Sequence, residues 1–268
     1  MGESQYPDMR FLLYNIRYGT GAGWDYHVPF PFSGYLRRTQ TNLKKIAEFL
    51  KSERPDIIGL VEVDNGSYRS AKTNQAEAIA HELGQTHVYE SKYSRSSVLH
   101  RMPVLREQGN AFITNQAIEA HRRHYFSEGI KRLVIRLEFE TFEIFLVHLS
   151  LKYRHRQYQL SSLYALFAEV RKPKIVAGDF NAFWGDRELG LFMAASGLQN
   201  ANAQAWPTFP SRKPRRQLDF ILHSPSIHVT NFRIPPVTYS DHMPLICDFE
   251  VENGVVRKRR APARHAVS

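Results

Sequence analysis

Lys174-Ile175-Val176-Ala177-Gly178-Asp179-Phe180-Asn181 is an apolar run that stops on a glycine, a carboxylate and an amide. Its length and composition read as a buried strand with polar chemistry at its end. An earlier run, Pro55-Asp56-Ile57-Ile58-Gly59-Leu60-Val61-Glu62-Val63, has the same character and ends at Glu62. Strands this continuously apolar belong to sheets covered on both faces.

Working outward, Met9 to Ile16 reads as a first strand, followed by a long loop rich in glycine and aromatics from Tyr18 to Tyr35. Thr39 to Lys51 carries apolar residues at Leu43, Ile46, Ala47 and Leu50, which is helical spacing. A second helix is expected over Ser70 to Leu83, a third over Tyr153 to Val170 and a fourth over Asp186 to Ser196. Glycines at 84 and 197 mark two of the ends. Further strands are expected at 87–93, 110–115, 131–140, 142–149, 217–223, 228–234 and 245–250. Strand-helix-strand units alternate with strand pairs in both halves. Two mixed sheets packed face to face with helices outside, a four-layered α/β sandwich, would bury such strands on both sides.

The chain has 268 residues and 43% hydrophobic content, enough for one large core. Residues 1–252 read as one domain and 253–268 as a basic, disordered tail. The net charge is +10, but Arg257, Lys258, Arg259, Arg260 and Arg264 in the tail supply half of it. Such a tail suits anionic lipid and nucleic acid equally. The single cysteine, Cys247, excludes an internal disulfide, and the first ten residues are polar. A cytoplasmic monomer is therefore expected. No apolar run reaches the ~20 residues of a membrane span, although peripheral contact with a membrane is compatible with the sequence.

The polar groups at strand ends define the chemistry. Asp179 and Asn181 follow one apolar run, Glu62 another and His148 a third. Asp219 stands in Leu218-Asp219-Phe220, and Ser240-Asp241-His242 comes near the end of the fold. Carboxylates, amides and imidazoles without thiolates suit metal-assisted attack on phosphorus, which needs a hard cation, an aimed water and donors for developing charge. Each residue also has a plain reading: Glu62 as a rim carboxylate, Asp179 and Asn181 as an Asx turn, His242 as a loop histidine. Zinc spacing, a Walker loop and an acyl-transfer triad are absent from the sequence.

Leu13-Tyr14-Asn15-Ile16-Arg17, the Pro55–Val63 run, Gly109-Asn110-Ala111, Val147-His148-Leu149, Gly178–Asn181, Leu218–Ile221 and Ser240–Pro244 occur in one order. Together they resemble the endonuclease/exonuclease/phosphatase superfamily of deoxyribonuclease-like hydrolases. In motif style they are nearest to small bacterial members and the sphingomyelinase-like and GPI-remodelling branch. The resemblance implies the four-layered sandwich and a Mg²⁺ ion, with Mn²⁺ as an alternative. It implies that Glu62, Asn15 and Asp241 hold the metal. Asp179 then orients or deprotonates the attacking water, and Asn181 donates to phosphate or nucleophile. His242 lies against the scissile phosphate with Asp219 behind it, His148 is a second imidazole, and Asn110 and Arg216 contact phosphate. Glu90 and Glu107 are both candidates for a carboxylate behind His148.

The implied function is a metal-dependent phosphodiesterase. A phospholipid or small phosphoester substrate is slightly favoured by the aromatic loop 18–35. The alternative is a DNA or RNA nuclease, favoured by Arg212, Lys213, Arg215 and Arg216 and by a cluster of Arg95, Arg101 and Arg106. A non-enzymatic phosphate-binding module is the alternative of another class.

Overall fold

The computed structural model describes residues 8–23, 38–92, 105–129 and 131–252. The expected tail, most of the aromatic loop, and Arg95 and Arg101 lie outside these residues.

In chain order the strands are β1 (Met9–Asn15), β2 (Ile57–Asp64), β3 (Thr86–Ser91), β4 (Gln108–Thr114), β5 (Ala120–Tyr125) and β6 (Leu133–Glu138). They continue with β7 (Glu143–His148), β8 (Lys174–Asp179), β9 (Gln199–Asn200), β10 (Asp219–His223), β11 (Ile227–Arg233) and β12 (Leu245–Val251). Four α-helices accompany them: α1 (Gln40–Glu53), α2 (Gln75–Leu83), α3 (Tyr153–Phe167) and α4 (Asp186–Ser196).

The strands form two six-stranded sheets, ordered β11-β12-β1-β2-β4-β3 and β5-β6-β7-β8-β10-β9. Each sheet has one parallel pair, β1–β2 or β7–β8, with antiparallel neighbours on either side. The two sheets thus repeat one topology, and the β11–β12 hairpin returns the chain to the first sheet. No sequence repeat announces this.

Alternation along each strand builds three apolar layers. Phe11 and Leu13 of β1 face Leu146 and Ala177 of the other sheet in the central layer. Leu12 and Tyr14 point the other way and pack with Leu43, Ile46 and Ile79 of α1 and α2. Phe145, Val147 and Val176 similarly meet Leu160, Leu163 and Phe192 of α3 and α4. This is the expected four-layered sandwich.

Two differences from the sequence reading have local causes. The second helix starts at Gln75 rather than Ser70, because Asn74 caps it, its Oδ1 accepting the N–H groups of Ala76 and Glu77. Upstream, the hydroxyls of Ser67 and Ser70 and the guanidinium of Arg69 turn inward to the buried Asp64 carboxylate. Strand β5, Ala-His-Arg-Arg-His-Tyr, was not anticipated. It is a charged edge strand that buries little, so apolar periodicity is silent there.

Candidate active site

The carboxyl ends of the two parallel pairs converge at one rim, where ligand sites of α/β sheets form. Asn15 ends β1, His148 ends β7 and Asp179 ends β8. Glu62 lies near the end of β2, at a register shift between Leu60 and Val63. Its φ is +58°. A left-handed non-glycine residue is uncommon and re-aims the side chain at a bulge. Val61 accordingly faces the inter-sheet layer while Val63 faces α2. Glu62 is left at the rim, and its N–H donates to Oδ1 of Asn110 at 3.3 Å.

The motif glycines permit close backbone approach. A Cβ on Gly178 would stand 1.9 Å from the Val147 carbonyl oxygen, and one on Gly109 would stand 2.2 Å from that of Glu90. Beyond Gly178 the strand does not continue its pleat to Asn181, whose φ is +50°. Instead Asp179 Oδ1 accepts the Asn181 N–H at 2.9 Å, an Asx turn, and the Asn181 amide donates to the Leu149 carbonyl at 2.9 Å. The turn reading and the site position therefore coexist in the same residues.

Asp179 is the hub. Its Oδ2 accepts from Asn15 Nδ2 at 3.2 Å and lies 3.3 Å from His148 Nε2 and 3.9 Å from His242 Nε2. Burial opposes its charge, but His148, His242 and Lys131 outweigh burial and hold its carboxyl well below the usual range. On the far side, His242 Nδ1 lies 2.8 Å from Asp219 Oδ2, which also accepts from the Thr208 hydroxyl at 2.7 Å. Burial lowers the His242 pKa, yet Asp219, Asp179 and Asp241 override it and push it up to about 10. Asp219 thus both favours the charged form of His242 and fixes the orientation of its ring. The 208–211 connection holds this group in place. Ser211 donates from N–H and hydroxyl to the Asp241 and Ser240 carbonyls, and the Met243 N–H donates to the Thr208 carbonyl.

His148 behaves oppositely. Burial, with Lys131 beside it, pushes its pKa down to about 4. Neither candidate carboxylate reaches it. Glu90 pairs with His121 and Arg123, and Glu107 with Arg106. The neighbours of His148 Nε2 are Asp179, Glu62 at 3.8 Å and the Lys131 ammonium.

Asp179, Asp219 and His242 offer ligand atoms within 4.8 Å of one another. In that group Asp219 Oδ2 is already taken by His242 Nδ1 and the Thr208 hydroxyl, and a hard cation prefers oxygen ligands to imidazole. The set that fits a hard cation is the one at Glu62. That carboxylate makes only 3.8 Å contacts with Lys131 and His148 among the described residues, too long for hydrogen bonds. Asp241, braced by Arg17 Nε at 3.3 Å, has its pKa raised by burial, and the Glu62 charge adds to the rise. Asn15 Oδ1 accepts the Arg17 N–H and keeps a second lone pair. Glu62, held ionised by Lys131 against its burial, with Asp241 and an amide oxygen, makes an oxygen set that suits a divalent ion.

Sequence reasoning missed Arg17, Lys131, Thr208 and Lys92. Lys92 is buried, its ammonium 3.5 Å from the Tyr18 hydroxyl and its pKa pushed down to about 8, chiefly by burial. A basic residue in a loop carries no pattern that marks it as facing inward. Arg216 is exposed beside the site, and Asn110 is buried beneath Glu62 with no partner for its Nδ2 among the described residues.

The sequence profile of the Endonuclease/Exonuclease/phosphatase family matches residues 12–242. The chain belongs to that family. As a family member it is a metal-dependent phosphoric ester hydrolase of phosphodiesterase or nuclease type. A functionally unknown conserved protein from Enterococcus faecalis V583 is 15% identical with a TM-score of 0.69, over 91% of this chain and 100% of that one. The human Nocturnin catalytic domain is 22% identical with a TM-score of 0.65, over 91% of this chain and 95% of its own. A mannosyl-6-phosphatase of Bacteroides thetaiotaomicron VPI-5482 is 16% identical with a TM-score of 0.65, over 90% and 99%. These likenesses share the family fold. No curated protein matches the sequence significantly. Among the described residues, no helix is long and apolar enough to cross a membrane.

Proposed function

We propose that this family member is a Mg²⁺-dependent phosphodiesterase that works by in-line attack of an activated water. The observation that carries the reading is the surrounding of Asp179 Oδ2 by Asn15, His148 and His242. Asp179 aims the water and takes its proton as attack develops. His242, charged and backed by Asp219, donates from Nε2 to the phosphate. Asn181 and Asn110 contribute amide donors, His148 a second imidazole, and Arg216 a contact to substrate phosphate. Glu62, Asp241 and Asn15 Oδ1 would hold the divalent ion, which supplies neutralisation of charge on phosphate oxygens.

The slight preference for a lipid or small phosphoester rests on the loop 18–35, and residues 24–37 lie outside the described structure. The described border of the site favours a second reading, nucleic acid. Arg212, Lys213, Arg215 and Arg216 are all exposed between the Thr208 connection and Asp219. Cations arrayed beside a phosphodiester site suit a polyanion. A hydrolysis panel at fixed Mg²⁺ decides: plasmid DNA, abasic duplex, sphingomyelin, an inositol phosphate and bis-p-nitrophenyl phosphate. Turnover of at least one diester by wild type, with loss in Asp179→Asn, is expected. Inactivity on all five would overturn the phosphodiesterase reading.

A further inference from the structure

Glu62 and Asp241 each face a cation, and the two cations are held differently. Arg17, 3.3 Å from Asp241, is also tied to the Gly21 and Gly23 carbonyls, which its Nη1 reaches at 3.1 and 2.8 Å. Lys131 Nζ stands 3.8 Å from Glu62 Oε1 and against Nε2 of His148, and among the described residues it has no other partner. An ammonium on a flexible four-carbon stem can leave without moving the chain. The Lys131 backbone, by contrast, is fixed. Gln159 of α3 is wholly buried, and its Nε2 donates to the Lys131 carbonyl at 2.7 Å, the Glu128 carbonyl at 2.9 Å and the Ser150 hydroxyl at 3.2 Å. Its Oε1 accepts the Ser150 N–H at 2.9 Å. Ser150 lies two residues after His148, so one buried amide ties Lys131 to the end of β7. Gly129, at a φ of +89°, permits this approach, because a Cβ there would run into Ser150 Oγ and Gln159 Nε2. On the other side, the Phe126 N–H donates to the Arg132 carbonyl at 2.8 Å.

We propose that Lys131 is a displaceable counter-ion of the Glu62 cation site, set in place by Gln159, and that a divalent ion reaches Glu62 only by expelling it. Lys131 then determines how tightly the site holds its metal, and Gln159 is a positioning residue that acts through Lys131. The inference rests on the reading of Glu62 as a metal ligand. An ammonium and a divalent ion repel each other strongly at this range, so they exclude one another from one carboxylate. Arg17 is not displaceable in this way, because two backbone carbonyls hold its guanidinium beside Asp241. Without the lysine, a divalent ion meets Glu62 with no competitor, and a metal-free Glu62 loses the charge that offsets its burial. A buried amide satisfied on both its nitrogen and its oxygen is rigid. Gln159 therefore holds the base of the lysine stem still while the ammonium stays free to swing.

The test is isothermal titration of MgCl₂ into the full chain at fixed ionic strength, without substrate, after EDTA treatment and dialysis. Lys131→Met should bind Mg²⁺ more tightly than wild type, on the order of tenfold. Lys131→Arg, which keeps the charge, should stay near the wild-type affinity. Gln159→Met should shift affinity in the same direction as Lys131→Met. The double variant should bind no more tightly than Lys131→Met alone, because the second change acts only through the first. In a Glu62→Gln background the effect of Lys131→Met should disappear. Thermal unfolding in EDTA shows that each variant is folded, and MgCl₂ should raise the midpoint of Lys131→Met by more than that of wild type. Lys131 lies at the rim, so its variants carry the test even where Gln159→Met does not fold. Equal affinity in wild type and Lys131→Met, equal tightening by Lys131→Arg, or tightening that persists in Glu62→Gln overturns the counter-ion and leaves the metal reading standing. Additive effects of Lys131→Met and Gln159→Met overturn the positioning role. A wild type that binds no Mg²⁺ removes the ligand reading of Glu62 and the inference with it.

Discussion

Asp179 and His242 divide the proposed chemistry between a carboxylate held ionised and an imidazole held charged. Replacing Asp179 by Asn or His242 by Ala should each lower kcat roughly a hundredfold or more, the scale of a positioned acid–base or charge-stabilising group. Steady-state kinetics on the panel's preferred diester checks this, and near-normal kcat in His242→Ala would displace His242 from the site. The His242 pKa, pushed up to about 10 mainly against its burial by Asp219, gives a second expectation. The charged form is stabilised in the folded state, so its contribution to stability is complete below the ordinary pKa of about 6.5. That contribution is lost as pH rises through 10. The alkaline limb of kcat should lie near that value and move toward neutrality in Asp219→Asn, which an NMR titration of His242 resolves. Most of these residues were legible because motif order singles them out. Lys131 and Arg17 were not, since their meaning depends on which distant strand end they face.

At the scale of elements, the two parallel strand pairs place the site, and a bulge or glycine at each end shapes it. Gly178→Ala would put a methyl 1.9 Å from the Val147 carbonyl oxygen, at a φ of +151°. Overpacking of about 1–3 kcal/mol and backbone strain of about 1 kcal/mol should together cost about 2–4 kcal/mol. Urea unfolding measures this, and an unchanged midpoint would mean that β7 and β8 separate at no cost. Buried strands were readable from composition alone, because both faces of each are apolar. Boundaries set by side-chain bonds were not readable, as at α2, where Asn74 caps the helix and Asp64 gathers Ser67, Arg69 and Ser70 away from it. The left-handed turn at Glu62 was equally silent, since glutamate carries no local preference for it.

At the scale of the whole molecule, the repeated sheet topology brings Asn15 and Glu62 from one half against His148 and Asp179 from the other. The sandwich was expected from alternating strand and helix patterns. The recurrence of the pattern in both halves was expected too, but which strand ends meet across the sheets was not, because register and packing, not local pattern, decide it. The same convergence makes the cation requirement the central claim: it gathers oxygen ligands from distant segments, Glu62, held ionised by Lys131 against its burial, and Asp241, whose ionisation burial and the Glu62 charge oppose. Glu62→Gln should therefore act through metal affinity. The most direct measurement is hydrolysis of the preferred diester against Mg²⁺ concentration, after EDTA treatment, for wild type and Glu62→Gln. Activity should vanish without metal, return with Mg²⁺ or Mn²⁺ and only poorly with Ca²⁺, whose looser coordination suits a tight octahedral site badly. Glu62→Gln should need a higher concentration to recover. Full turnover in metal-free buffer, or an unchanged Mg²⁺ requirement in Glu62→Gln, would contradict the assignment.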